Sequence, residues 1–296
     1  MKILILGACG FIGQNAVKYF SKGGNEVYSA DIIYSTKPNY FQILKKENYQ
    51  EIFSSHQYDV CLNAAGSAHV QFSFQHPLKD FSLNTTFVYE ILSYIKVHNP
   101  KCKFINLSSA AVYGNPKHLP IKETHEVNPL SPYGLHKYYS ELICKEFHKY
   151  FGLHTCSLRI FSAYGNGLKK QLFWDLYQKT LSNQTLTMYG TGNETRDFIY
   201  ILDLLQAIEL IIKKGDFESN IYNVANGEEI SILEATQTFK EIINPKIKIQ
   251  FNQQAKLGDP LNWKADITCI KAMGYKPQYT LQHGLTAYYQ WIKESI

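Results

Sequence analysis

The sequence lacks the features that would tie a chain to a membrane, a metal ion or a nucleic acid. No stretch approaches the roughly 18 uninterrupted apolar residues of a membrane span, so no membrane partner is expected. The ten histidines include no H-x-x-x-H pair and no cluster with metal-ligand spacing, so no metal site is expected either. Net charge is +5, but the lysine pairs Lys45–Lys46, Lys169–Lys170 and Lys213–Lys214 are scattered and form no basic stripe. Nucleic acid is therefore not an expected partner, and the excess reads as a mild bias toward small anionic ligands. No C-x-x-C occurs among the six cysteines, Cys9, Cys61, Cys102, Cys144, Cys156 and Cys269, which stand singly and mostly inside apolar runs. They read as reduced core residues and predict a cytoplasmic location. The opening run MKILILGACGFIG imitates a secretion signal, but its three glycines and lack of a small-residue cleavage site argue against one. Low-complexity tracts and internal repeats are absent as well.

What is present is 296 residues of ordinary globular composition, enough to bury a large core. Short apolar runs (Ile3–Leu6, Glu26–Ala30, Val60–Asn63, Lys103–Leu107, Thr155–Ile160) alternate with amphipathic stretches (Ile12–Phe20, Pro77–Val97, Ser131–Tyr150). That alternation predicts an α/β fold, a doubly wound parallel sheet of Rossmann type with helices on both faces. After about Ile160 the pattern loosens into loops and shorter elements, with a helix near Ile201–Lys213 and a strand near Ile221–Val224. The expected organisation is a dinucleotide-binding domain over residues 1–160 and a smaller, interleaved substrate-binding region over 161–296.

Three glycines, Gly7, Gly10 and Gly13, follow the first strand and open the first helix. Glycine there lets the backbone turn tightly and approach a pyrophosphate, whose charge sits on the helix N-terminus. The next strand ends in Asp31, where a carboxylate can bind both hydroxyls of an adenosine ribose and repel a 2′-phosphate, which favours NAD over NADP. Further on, the stretch SPYGLHKYYSELICKEF starts a helix at Ser131–Pro132 and sets Tyr133 and Lys137 one turn apart on one face. On their own these two could be no more than one face of an amphipathic helix.

The spacing G-x-x-G-x-x-G, together with NAAG (63–66), LSSAAVYG (107–114), SPYGLHK (131–137), RIFSAYGNG (159–167) and GTGNETRDFIYILDL (190–204), resembles the extended short-chain dehydrogenase/reductases that modify nucleotide sugars. The resemblance covers the chain from Met1 to about Leu205 and continues weakly through KLGDP (256–260) and GYKP (274–277). It implies NAD held by Gly7, Gly10, Phe11, Ile12, Gly13, Asp31, Ala64, Ala65 and Lys137. It implies Tyr133 as the acid/base on the sugar oxygen, Lys137 on the nicotinamide ribose and Ser109 sharing the sugar proton. A free phenol titrates near ~10, so Tyr133 would need a nearby cation to ionise near neutral pH. The substrate, a nucleoside-diphosphate sugar, would meet Ser108, Ser109, Tyr133, Ser162, Arg196 and Lys256. Asn84 falls where the family often has a polar helix residue, and a homodimer built on the helix after Pro77 and the Tyr–Lys helix is implied too.

Departures narrow the reaction. Nucleotide-sugar 4,6-dehydratases carry an Asp–Glu pair where this chain has Ala110 and Ala111, and a methyl group can neither protonate a leaving hydroxyl nor remove a C5 proton. GDP-fucose synthase uses a Cys and a His at positions that look like Ala110 and Gly167. The family's usual Asn and Pro in the RIFSAYGNG loop are Ser162 and Asn166, and its C-terminal Arg is Lys256, which cannot grip phosphate bidentately. The stretch between Asp31 and Asp59 is too short for the excursion found in UDP-galactose 4-epimerases, a compactness shared with 4-ketoreductases. The expected function is reversible hydride transfer at C4 of a nucleotide-linked hexose, as a 4-epimerase or alternatively a 4-ketoreductase. A catalytically silent NAD-binding regulator would not need Ser109, Tyr133 and Lys137.

Overall fold

A computed structural model of the chain describes residues 1–45, 47–181, 185–254 and 256–295. Its centre is a seven-stranded sheet in the spatial order Glu218–Val224, Thr155–Ile160, Lys103–Ser109, Val60–Asn63, Lys2–Leu6, Glu26–Asp31, Tyr40–Gln42. Every neighbouring pair is parallel. Parallel strands must be covered on both faces, and their side chains divide accordingly. Ile3, Ile5, Leu62 and Ile105 point into a core shared with the C-terminal half, while Leu4, Leu6, Cys61 and Phe104 point into a second core beneath the helices Glu47–Ser55, Phe87–His98 and Pro132–Phe151. The edge strand Glu218–Val224 comes from beyond residue 160, so the sheet itself draws on both halves of the sequence.

Strand order reverses between Lys2–Leu6 and Val60–Asn63, and the crevice beyond the carboxyl ends of two such strands is where α/β sheets bind ligands. The loop Gly7–Gly10 leaves one of those strands and Ala64–Ala65 the other.

Two features differ from the sequence expectation. The single helix anticipated over Pro77–Val97 is three consecutive pieces, Pro77–Phe81, Ser82–Thr86 with π-helical pitch, and Phe87–His98. The wider turn rotates Asn84 and Thr85 into the protein, a device common near functional sites. Beyond Ile160 the chain is also more helical than its loosened pattern suggests, with helices at Gln171–Thr180, Ile232–Ile243 and Leu281–Ser295. In the last of them Gly284 gives close approach, since a Cβ there would lie 2.2 Å from the Tyr164 hydroxyl. The apolar residues of these helices pack around Tyr164, Phe173 and Phe239.

Three two-stranded sheets complete the C-terminal half: Ser162–Tyr164 with Phe198–Tyr200, Thr195–Arg196 with Ile230–Ser231, and Thr185–Met188 with Lys248–Phe251. No helix among the described residues is long and apolar enough to cross a membrane.

Candidate active site

The buried strand Lys2–Leu6 ends at Gly7, where φ is +74° and a Cβ would lie 2.5 Å from the Ala65 nitrogen. A Cβ at Gly13 would lie 2.0 Å from the Gly7 carbonyl oxygen. Glycine at both positions therefore allows the loop, the Ala64–Ala65 turn and the helix Phe11–Lys22 to close on one another. Gly10 is the N-cap of that helix and has no side chain to cap with. The first helical bond runs from the Gln14 N–H to the Gly10 carbonyl at 2.9 Å, which leaves the N–H groups of Phe11, Ile12 and Gly13 without an intrahelical partner. These free donors lie at the positive end of a helix, beside the point where the sheet reverses, and make a place for a pyrophosphate. Asp31 closes the far side: its Oδ2 accepts from the Cys9 N–H at 2.8 Å and its Oδ1 from the Ile33 N–H at 3.2 Å, with lone pairs left for a ribose diol. The residues present fit a dinucleotide.

The second component is the helix Pro132–Phe151. Ser131 caps it by accepting from the Gly134 N–H at 3.2 Å, with proline in the first turn. Tyr133 and Lys137 are each 7% exposed and face the carboxyl end of the strand Lys103–Ser109. The Lys137 ammonium donates to the Leu107 carbonyl at 2.8 Å. Ser109 caps the short turn Ala110–Tyr113, accepting from the Ala111 N–H at 3.1 Å, and its hydroxyl is close enough to Tyr133 to favour the phenolate. The structure thus brings Ser109, Tyr133 and Lys137 together.

Burial dominates the protonation of this group. It pushes the Tyr133 phenol up to about 12, against the Ser109 hydrogen bond that favours the phenolate and with the Asp80 charge that disfavours it. The same burial pulls the Lys137 ammonium down to about 8, opposed by the negative charges of Asp80 and Glu141. Lys137 alone does not bring the phenol toward neutrality, contrary to what its position one turn away suggests.

Ser108 stands apart from this group. Its hydroxyl donates to Glu141 at 2.5 Å, and Glu141 also receives Arg159 through Nε at 3.0 Å and Nη2 at 2.7 Å. All three side chains are buried, and the Arg159 guanidinium also lies 4.6 Å from the Tyr113 ring centre. The sequence assigned Ser108 to the substrate; the structure engages it in the ion pair that joins the Tyr–Lys helix to the strand Thr155–Ile160. Glu141 and Arg159 were not singled out from the sequence for this role, although Glu141 lies one turn beyond Lys137 on the same helix.

Substrate candidates from the C-terminal half gather around Arg196. Its Nη1 donates to the carbonyls of Thr195 at 2.8 Å and Leu261 at 3.3 Å, while Nη2 lies 4.0 Å from Asp259. The guanidinium lies 5.6 Å from the Trp263 ring centre. Glu194 and Asp197, the acidic residues nearest Arg196 in sequence, are occupied by backbone N–H groups of Thr191 and Gly192 and of Asn226, Gly227 and Ala265 respectively. Burial holds Arg196 below its ordinary range, with Asp259 opposing. Lys256 is exposed and heads the turn that carries Asp259, whose N–H reaches the Lys256 carbonyl at 3.1 Å. Ser162 is half-buried, and its N–H donates to the Asp197 carbonyl at 3.0 Å. This segment reaches the other half of the site through Gln71 to the Leu257 carbonyl at 2.8 Å, the Leu261 N–H to Asn115 at 2.7 Å, and the Trp263 indole to the Gly114 carbonyl at 3.0 Å.

Residues 3–225 match the family model described as the NAD dependent epimerase/dehydratase family. The chain belongs to that family. NAD is its cofactor. It is similar to a putative UDP-glucose 4-epimerase of Methanocaldococcus jannaschii, 27% identical with 99% of each chain covered. It is also similar to UDP-glucuronic acid decarboxylase 1 of Danio rerio, 27% identical over all of this chain and 73% of that one. Among solved structures, the UDP-glucuronic acid 4-epimerase of Bacillus cereus, in complex with UDP-glucuronic acid and NAD, superposes with a TM-score of 0.90 at 26% identity, each chain fully covered. Within this family the site of the present chain is marked by what flanks Ser109. Ala110 is fully buried and Ala111 partly so, and the two offer only methyl groups.

Proposed function

We propose that the chain is a nucleoside-diphosphate-hexose 4-epimerase, with uridine, the base named for its relatives' substrates, as the first base to test. One observation carries the reading. Tyr133, with Ser109 and Lys137 around it, is an acid/base at the carboxyl end of the strand Lys103–Ser109, and Ala110 and Ala111 after Ser109 supply no second. A single acid/base suits a reaction that removes one proton from an oxygen and later returns it to the same oxygen; elimination of a hydroxyl needs two. Bound NAD supplies the hydride acceptor, and afterwards the donor, at C4, together with a positive charge in the site. Tyr133 takes the C4 hydroxyl proton, Ser109 hydrogen-bonds the same oxygen, and Lys137 orients the nicotinamide ribose while its charge favours the phenolate. Arg196 binds the substrate diphosphate, with Lys256 a second cation and Ser162 a hydroxyl for the sugar. Purified protein incubated with UDP-, dTDP-, GDP- and CDP-hexoses should interconvert one of them with its C4 epimer without added coenzyme, as read by NMR.

A 4-ketoreductase is the second reading, favoured by the open side of the cofactor site. After Asp31 the chain exposes Ile32, Ile33 and Tyr34 in succession, with no long insertion to cover the adenosine. An enzyme that releases its oxidised coenzyme each turnover would benefit from that opening. Consumption of NADH on a 4-keto-6-deoxy sugar, with no epimer formed from any hexose, would favour it.

A homodimer belongs to the same proposal. Leu135, Tyr139 and Leu142 recur at helical spacing on the outer side of Pro132–Phe151, and the adjoining helical segment exposes Leu78, Leu83 and Tyr89. Two such helix pairs would form a four-helix interface. Four buried thiols, Cys61, Cys102, Cys144 and Cys156, suit a reducing cytoplasm.

A further inference from the structure

The helix that begins at Pro77 lays a carboxylate behind the Tyr–Lys helix. Asp80 has no exposed surface at all. Its Oδ2 lies 2.7 Å from Nδ1 of His136, the residue that immediately precedes Lys137, and its Oδ1 is buried with no hydrogen-bond partner. A buried carboxylate with one oxygen unsatisfied is costly, so its persistence calls for an electrostatic use. The surrounding turn is built to hold the pair still. Thr85, rotated inward by the π-pitch turn, donates to the His136 carbonyl at 3.0 Å, and the Phe81 ring stands edge-on to the imidazole at 5.2 Å. Asn84 on the same turn converges on Lys137: a Cβ at Gly66 would lie 2.7 Å from Asn84 Oδ1 and 3.6 Å from the Lys137 ammonium.

We propose that Asp80, clamped by His136, is a positioning residue of this site, whose buried negative charge supports the Lys137 ammonium and sets the pH window in which Tyr133 and Lys137 work. The mechanistic half of the proposal rests on the roles given above to Tyr133 and Lys137; the electrostatic half does not. The charged neighbours are few. The Asp80 charge on the preceding helical segment and the Glu141 charge on its own helix both favour the Lys137 ammonium, and Glu141 is already engaged by Arg159 at 2.7 Å. The strand Lys103–Ser109 presents to it the Leu107 carbonyl and not a charge. Tyr133 is influenced by the Ser109 hydroxyl, which favours the phenolate, and by the Asp80 charge, which opposes it. His136 faces Asp80 and the rings of Phe81 and Tyr139, and Lys79, the cation nearest Asp80 in sequence, holds its ammonium 5.8 Å from the Phe72 ring centre. The Asp80 charge acts upward on both Lys137 and Tyr133, so its removal displaces both titrations in one direction.

The test is Asp80→Asn, which keeps an acceptor for His136 and removes the charge; Asp80→Ser serves if the first variant does not fold. The Lys137 titration is followed by NMR of the protein with 13C-labelled lysine, assigned by its loss in Lys137→Met, and needs neither substrate nor turnover. Its midpoint should fall by about 1 pH unit, and both limbs of the kcat profile should move to lower pH together. His136→Gln, which can still donate to Asp80, should keep the wild-type midpoint. An unchanged Lys137 midpoint in the Asp80 variants, with activity reduced equally at every pH, would overturn the proposal and leave Asp80 a packing residue. A displaced midpoint in a protein that turns over no nucleotide sugar would uphold the electrostatic assignment and reject the enzymatic reading alone.

Discussion

The buried ammonium of Lys137 donates to the carbonyl oxygen of Leu107 at 2.8 Å, which ties the Tyr–Lys helix to the strand that ends at Ser109. The Ser108–Glu141 bond ties the same strand and helix a turn further on, so the spacing between Lys137 and the hydroxyl beside Tyr133 is held at two points. Lys137 loses its proton near pH 8 because burial disfavours the charge. The ammonium is present below that pH and lost as pH rises through it. NAD affinity should therefore weaken between about pH 7 and 9, measured by calorimetry, and Lys137→Met should bind weakly with no such pH dependence. Equal affinities at both ends of the range in the wild-type protein would remove Lys137 from the cofactor.

Tyr133→Phe deletes one oxygen and leaves the buried ring in place. Turnover should fall by about 10²–10⁴, while NAD binding and the melting temperature stay close to wild type. Near-normal turnover in this variant would reduce Tyr133 to one face of a packed helix.

The proposed diphosphate role of Arg196 can be tested apart from cofactor binding, since its contacts given above are with Thr195, Leu261, Asp259 and Trp263 and not with the glycine loop. Arg196→Ala should weaken nucleoside-diphosphate binding by about 1.5–3 kcal/mol, the value of a charged hydrogen bond, and leave NAD affinity unchanged. If UDP, dTDP, GDP and CDP all bind the variant as they bind wild type, Arg196 has no phosphate role.

The parts of this site legible in sequence are those in which chemistry and local structure share one short segment. Gly7, Gly10 and Gly13 follow a buried strand and open a helix, and Tyr133 and Lys137 lie one turn apart on another. What escaped notice is held together by contacts distant along the chain. Asp80 meets His136 across 56 positions, and Asp259 reaches Arg196 from a separate loop, so neither pairing leaves a local pattern. Ser108 shows a different limit. Strand alternation places it opposite Ser109, but only the positions of Glu141 and Arg159 reveal that its hydroxyl serves an ion pair.

Asp31 is the residue we propose sets coenzyme choice. Its carboxylate is anchored by the Cys9 and Ile33 N–H groups at the end of the strand Glu26–Asp31, where a 2′-phosphate would meet a fixed negative charge. NAD⁺ should bind more tightly than NADP⁺, and Asp31→Ser should narrow the difference. Tighter NADP⁺ binding by the wild-type protein would contradict this assignment.

The central claim is that the hydrogen at C4 leaves the sugar and returns to it within one bound complex, while Tyr133 holds the hydroxyl proton. The most direct measurement uses a nucleoside-diphosphate hexose deuterated at C4, incubated with the purified protein in ordinary water without added coenzyme, the C4 position of the epimer being read by NMR. The account predicts an epimer that keeps its deuterium at C4, and, in the converse experiment in D₂O, an epimer with no deuterium there. Exchange of the C4 label with solvent would contradict it.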